Sequence, residues 1–226
     1  GQHRRYWCNF DLAGNDLKRD GQSVEDGAVS PAGDAGDRLG QKPSGGGLGK
    51  FVFSERMTDA RRQHVAVRMA DGKILVAGGR GKGSGWPPPR LDTATIYDPA
   101  VDKWVEIAKM SGPREIATAH LLGDGRVIVI GGSSWQNEPL ESTEIYDTAT
   151  DRWTSGPTMG IARWKHRSVL LPDRSVLVSG GEDIFAGLPE AELCDAASEA
   201  CSPAGVMSEA RALHTLTLLN DGRALA

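Results

Sequence analysis

Cysteine is scarce in this chain, three in 226 residues, which excludes a small fold stapled by many disulfides. No apolar run approaches the ~20 residues that a membrane-spanning helix requires. No block of like charge stands out either. The formal net charge is −4 with acidic and basic residues well mixed, so nothing points to nucleic acid or an anionic membrane as a partner. The familiar signatures of catalysis are missing as well. There is no phosphate-binding glycine loop ahead of a helix, no Gly-x-Ser-x-Gly elbow, and no Cys-x-x-Cys or His-x-x-x-His pair. Gly81-Lys82-Gly83-Ser84 is a lone glycine-rich loop that matches none of them. These absences argue against an enzyme, and the sequence calls for no cofactor and no metal.

Glycine is plentiful, and eleven of the 29 fall within residues 1–50. From Ala13 onward that stretch has only Leu17, Val24, Val29, Leu39 and Leu48 as large apolar residues, without helical or strand periodicity. Such a segment cannot bury enough surface to offset its ordering entropy. We read residues 1–50 as a disordered, Gly-rich leader, either a tethering spacer or a stretch with no role. Residues 51–226 are read as a β domain. The chain starts at Gly1 and stops inside a recurring pattern, so we expect a fragment of a longer or processed protein.

The recurring pattern carries the domain. Arg61, Arg114, Arg163 and Arg211 are spaced 53, 49 and 48 residues apart, each with a methionine four residues earlier (Met57, Met110, Met159, Met207). Asp71-Gly72, Asp124-Gly125 and Asp221-Gly222 lie ten residues after their arginines, and Asp173-Arg174 holds the same place. Gly78-Gly79, Gly131-Gly132 and Gly180-Gly181 close short apolar runs. Tyr97 precedes Trp104 by seven residues, and Tyr146 precedes Trp153 by the same interval.

One unit can be built from these residues. His64–Val67 is a short strand, and Asp71-Gly72 supplies the positive φ of a tight hairpin. Ile74-Leu75-Val76-Ala77 is a continuous apolar run of strand length, hence buried on both faces. Thr95–Tyr97 and Lys103–Glu106 make the third and fourth strands around a proline-containing turn at Pro99. A four-stranded sheet this small cannot cover its own apolar faces, but copies stacked side by side can. Four strands recurring at about 50 residues is the period of a propeller blade.

The sequence Arg-x-x-His, hairpin, apolar run into Gly-Gly, then Tyr and Trp resembles kelch repeats across roughly residues 55–226. The resemblance implies an all-β, partial kelch-type β-propeller. Three four-stranded antiparallel blades are expected at about 61–109, 110–158 and 159–206, with the first strands of a fourth at 207–226. The His64 strand would be innermost and the Trp104 strand outermost. The remaining blades of a parent chain would then be partners of this one.

In the third unit Cys194 stands where the tyrosine is expected and Cys201 where the tryptophan is. Two small residues there would leave a hole, and facing positions on adjacent antiparallel strands suit a disulfide. The alternative is a pair of buried thiols beside a larger neighbour. A disulfide would place the protein outside the cytoplasm: extracellular, on a cell surface or periplasmic. Cys8 is left as an odd thiol.

Candidate binding residues fall into two groups. The repeated arginines, Arg61, Arg114, Arg163 and Arg211, either hydrogen-bond between blades or form a ring of guanidinium groups at one mouth of the channel. The loops after the second strands differ between blades, and such loops commonly carry function. They contribute Trp86 and Arg90, Trp135 and Gln136, and Phe185, and Trp164 lies on the arginine loop of the third unit. Exposed aromatics among polar groups suit a sugar ring or a protein hot spot. His64, His166 and His214 share one register. They are either metal ligands, without an acidic companion at ligand spacing, or buried histidines bonded to backbone.

The reading that follows is a non-catalytic binding scaffold that recognises protein or glycan through its loop face. Two alternatives stand beside it. One is the propeller of a galactose-oxidase-like copper enzyme with its active site largely outside this chain. The other is an intracellular kelch adaptor, which requires reduced cysteines.

Overall fold

In the computed structural model, residues 54–82 and 88–226 are described. The expected leader at 1–50 and Trp86 lie outside the described residues. Every regular element among the described residues is a strand.

The first blade is built from β2 (Val65–Arg68), β3 (Ile74–Ala77), β5 (Ala94–Asp98) and β6 (Lys103–Ile107), all antiparallel. Two short strands, β1 (Arg61–Arg62) and β4 (Arg80–Gly81), pair beside it. The second blade is β7 (Thr118–Leu121), β8 (Val127–Ile130), β9 (Thr143–Asp147) and β10 (Arg152–Ser155). The third is β11 (Arg167–Leu170), β12 (Val176–Ser179), β13 (Glu190–Cys194) and β14 (Ser202–Val206). A hairpin of β15 (Thr217–Leu218) and β16 (Ala224–Leu225) follows in the register of a fourth. The first strands of successive blades touch, β2 against β7, β7 against β11 and β11 against β15. They are therefore the inner strands.

Burial explains why the blades stack. All four side chains of β8 are fully buried, yet they serve two cores. Val127 and Val129 join Val65, Val67, Leu75 and Ala77 between the first and second blades. Ile128 and Ile130 join Ile145, Val176 and Val178 between the second and third. Each such side chain contributes roughly 1.5–3 kcal/mol through burial, and none of that is available to a lone sheet.

The repeated small residues stitch the seams. Gly131 and Gly132 have φ of 56° and 97°. A Cβ on Gly131 would meet the Arg163 carbonyl oxygen at 2.7 Å, and one on Gly132 would meet that of Glu115 at 2.7 Å. The pair is thus wedged between the arginine loop of its own blade and that of the next. Its second amide donates to the next blade's arginine carbonyl, as Gly79 does to Arg114 (2.8 Å), Gly132 to Arg163 (3.0 Å) and Gly181 to Arg211 (2.7 Å). The repeated methionines Met110, Met159 and Met207 place their methyl ends against the first glycine of each pair.

The outer edges are fastened differently in different blades. Tyr97 packs on Trp104 and Tyr146 on Trp153, with ring centroids 4.9 and 5.1 Å apart. The two tyrosine hydroxyls donate to Asp102 and Asp151 within their own turns. Trp153 Nε1 donates to the Ala108 carbonyl of the preceding blade at 2.8 Å. In the third blade Cys194 and Cys201 are joined by a disulfide with Cα atoms 4.3 Å apart, and Cys201 N donates to the Thr158 carbonyl at the preceding blade's edge.

Candidate functional site

The repeated arginines face inward. Arg61, Arg114 and Arg163 are buried, and their guanidinium groups donate to carbonyls of their own blade. Arg61 binds Gly78 O (3.1 Å) and Thr93 O (2.8 Å). Arg114 binds Gly131 O and Ser142 O (both 3.1 Å). Arg163 binds Gly180 O (2.8 Å) and Glu190 O (2.9 Å). A channel-mouth ring able to take an external carboxylate is therefore not formed by these three. The side-chain bonds also run within blades, while the arginine carbonyls make the bonds between them. Burial costs a charged group dearly unless it is paired. Glu144 and Glu192 supply the pairing at 2.7 Å for Arg114 and Arg163. In the first blade Thr95 occupies the glutamate's place, and Arg61 makes a long pair with Asp59 at 3.9 Å. Desolvation lowers the pKa of Arg61 and of Arg114. Arg211 is exposed.

Arg90 is a strut and not a contact for ligand. It is buried, with Nε donating to Glu115 Oε1 at 2.7 Å, Nη1 to the Trp135 carbonyl at 3.0 Å, and Nη2 to Asn137 Oδ1. Arg80 grips the same carboxylate of Glu115 through both Nε and Nη2. One buried glutamate thus binds two arginines from the blade before it, and one of those fixes the next blade's loop.

That loop holds Trp135 outward, 62% exposed, with Gln136 exposed beside it. In the third blade Asp183 Oδ1 accepts the amides of Phe185 (2.7 Å) and Ala186 (2.8 Å). The resulting tight turn projects Phe185, 87% exposed, and Ile184, 64% exposed. A cleft of about 360 Å³ is lined by Asn137, Trp164, Glu182, Asp183, Ile184 and Phe185 among others. Trp164 is half-buried, and Lys165 Nζ sits 4.9 Å from its ring centroid. The same ammonium donates to Glu182 Oε2 at 2.6 Å.

Of the shared-register histidines, His64 and His166 bond the backbone of Arg61 and Arg163, and two reach hydroxyls of the neighbouring blade. His166 Nε2 is 2.9 Å from Thr118 Oγ1, and His214 Nε2 is 3.0 Å from Ser179 Oγ. Among the described residues no three His, Cys, Asp or Glu side chains converge.

Two stretches of the chain, residues 61–111 and 118–160, match the kelch motif. Those two stretches are kelch repeats. Among solved structures it resembles one titled "Structure of YjhT", at 14% identity with a TM-score of 0.58, covering 67% of this chain and 54% of that one. This chain therefore spans about half the length of that one, and the likeness concerns the fold. No curated protein matches the sequence.

The kelch register separates scaffold from site. Gly-Gly, Met, Arg, Tyr and Trp recur and are consumed by packing. Positions just beside them do not recur. The residue after the arginine is Arg62, Glu115, Trp164 or Ala212, and the residue after Gly-Gly is Arg80, Ser133 or Glu182. Backbone bridges join Arg62 to Arg80, Glu115 to Ser133 and Trp164 to Glu182, so these variable residues line one face together. Sequence reasoning missed Glu115, Asn137, Lys165 and Glu182. Variation inside an otherwise regular register was the signal that marked two of them, Glu115 and Glu182.

Proposed function

We propose that this chain is a non-catalytic binding scaffold that recognises a protein through the loop face of its second and third blades. One observation carries the reading. Trp135, Ile184 and Phe185 are held out into solvent by turns that are themselves hydrogen-bonded, so their exposure is built in. Large rigid apolar side chains on a fixed frame suit a protein hot spot. The aliphatic Ile184 beside Phe185 favours a protein over a sugar, which would need more polar partners around the ring. Tyr97 and Tyr146 are spent on their own turns, so neither favours a copper-enzyme reading.

Immobilised full chain and a Trp135→Ser, Phe185→Ser double variant would be offered a displayed random-peptide library and a glycan array. Peptides retained by the parent and lost by the variant, at unchanged circular dichroism, are expected. Equal retention by both proteins, or glycan binding alone, overturns the reading.

The Cys194–Cys201 pair supports an oxidising location, outside the cytoplasm. A mass spectrum taken without reductant should find the link in protein from its native source. Two free thiols would favour the intracellular adaptor.

A further inference from the structure

Resting on the protein-binding reading above, we infer that the cleft between the second and third blades receives a basic side chain of the partner, lysine or arginine. Its cation would lie on the Trp164 ring and against Glu182, in the place now held by Lys165.

The argument starts with charge. Glu182 and Asp183 are the charged residues of the lining, and the one cation against it is Lys165, paired to Glu182. Asp183 spends Oδ1 on its own turn. Beside these carboxylates the wall is aromatic and aliphatic, from Trp164, Ile184 and Phe185. An acidic, aromatic wall selects for a cation carried on an apolar stem.

The chain itself demonstrates that chemistry. Lys165 Nζ lies 4.9 Å from the centroid of Trp164 and 2.6 Å from Glu182 Oε2. Indole face and carboxylate are thus already arranged to hold an ammonium group. The Lys165 and Glu182 side chains keep 27% and 32% of their exposure, and pairs this open contribute little to stability and exchange readily. Lys165 also has a left-handed backbone, φ 56°, which it shares in register with Gln63, Ile116 and Leu213. The backbone does not depend on the lysine, because the other blades adopt it with a different side chain. Lys165 is therefore a removable occupant.

The test uses the full chain and a displayed random heptapeptide library. Peptides selected on the parent chain should be enriched in lysine and arginine over aspartate and glutamate. For a selected peptide, Glu182→Gln should weaken binding about tenfold, and Lys165→Met should strengthen it severalfold by removing the internal competitor. Both positions are half-exposed, and circular dichroism would verify folding. Raising the salt concentration on the parent chain should weaken binding without any substitution. A selection with no preference for basic residues overturns the inference, and so does a Lys165→Met variant that binds no better than the parent. If the selected peptides still depend on Phe185 in either case, the binding face stands and only its cation preference falls. If retention is indifferent to Phe185→Ser, the face itself falls.

Discussion

The two seams between the three four-stranded blades solve the same packing problem with opposite surfaces. At the first, Arg80 and Glu115 occupy the positions after Gly-Gly and after the arginine, and Arg90 completes a buried, fully bonded cluster. At the second, the same two positions are Ser133 and Trp164, and neither Ser133 Oγ nor Trp164 Nε1 finds a partner. The inner strands differ in the same sense. β2 meets β7 through Val65, Val67, Ala117 and Ala119. β7 meets β11 through hydroxyl–imidazole contacts, Thr118 with His166 and His120 with Ser168. The first seam is closed at the loop face, whereas the second, apolar in its core, is polar along its inner strands and open at the loop face. Identical scaffolding thus leaves adjacent seams free to specialise.

The comparison can be broken most directly at Glu115. Replacing it with alanine strands two arginines without their carboxylate, and breaking a buried pair costs about 3–5 kcal/mol. The midpoint of urea unfolding measures this, and a change below about 1 kcal/mol would show that the first seam does not rely on the cluster.

Acid should act on the second seam. Burial, with the nearby Arg163 and Arg167 and then His214, pushes the pKa of His166 down to about 3. The unfolded chain takes up that proton near the ordinary histidine value while the folded chain refuses it. Stability therefore falls as pH drops from about 6.5, by up to about 1.4 kcal/mol per pH unit for this one group. Unfolding midpoints at pH 7 and pH 5 for the parent and for His166→Gln should show a flatter profile in the variant. Equal slopes would remove His166 as the cause.

The smallest effect on stability is expected at the exposed turn. Phe185→Ser should change unfolding free energy by no more than about 0.5 kcal/mol while abolishing peptide retention. A large loss of stability there would make Phe185 a structural residue and the two seams less different than they look.

Much of the architecture was legible beforehand because it repeats. Strands, hairpins and the Gly-Gly seams follow from spacing, with boundaries shifted by a residue, as when β2 runs Val65–Arg68 instead of His64–Val67. What a repeat cannot reveal is which way a side chain turns. The spacing left Arg114 and Arg163 either bonded between blades or ringing a channel mouth, and Glu144 and Glu192 beneath them decide for a structural role. The substitution of Thr95 at that position was a visible clue to a third partner in the motif. The loop strut was hidden for another reason. Arg90 and Asn137 lie on non-repeating segments, and no period connects them to Glu115.

β8 has a further consequence. Neighbours along it answer to different interiors, so Ile128 and Val129 are judged by separate sets of surroundings although one peptide bond joins them. Sliding that strand by one residue would hand each interior the other's contents, which penalises misalignment from both sides at once. Substitutions can then accumulate on one side of the divider without reopening the other, which lets one boundary drift toward recognition while its neighbour stays shut.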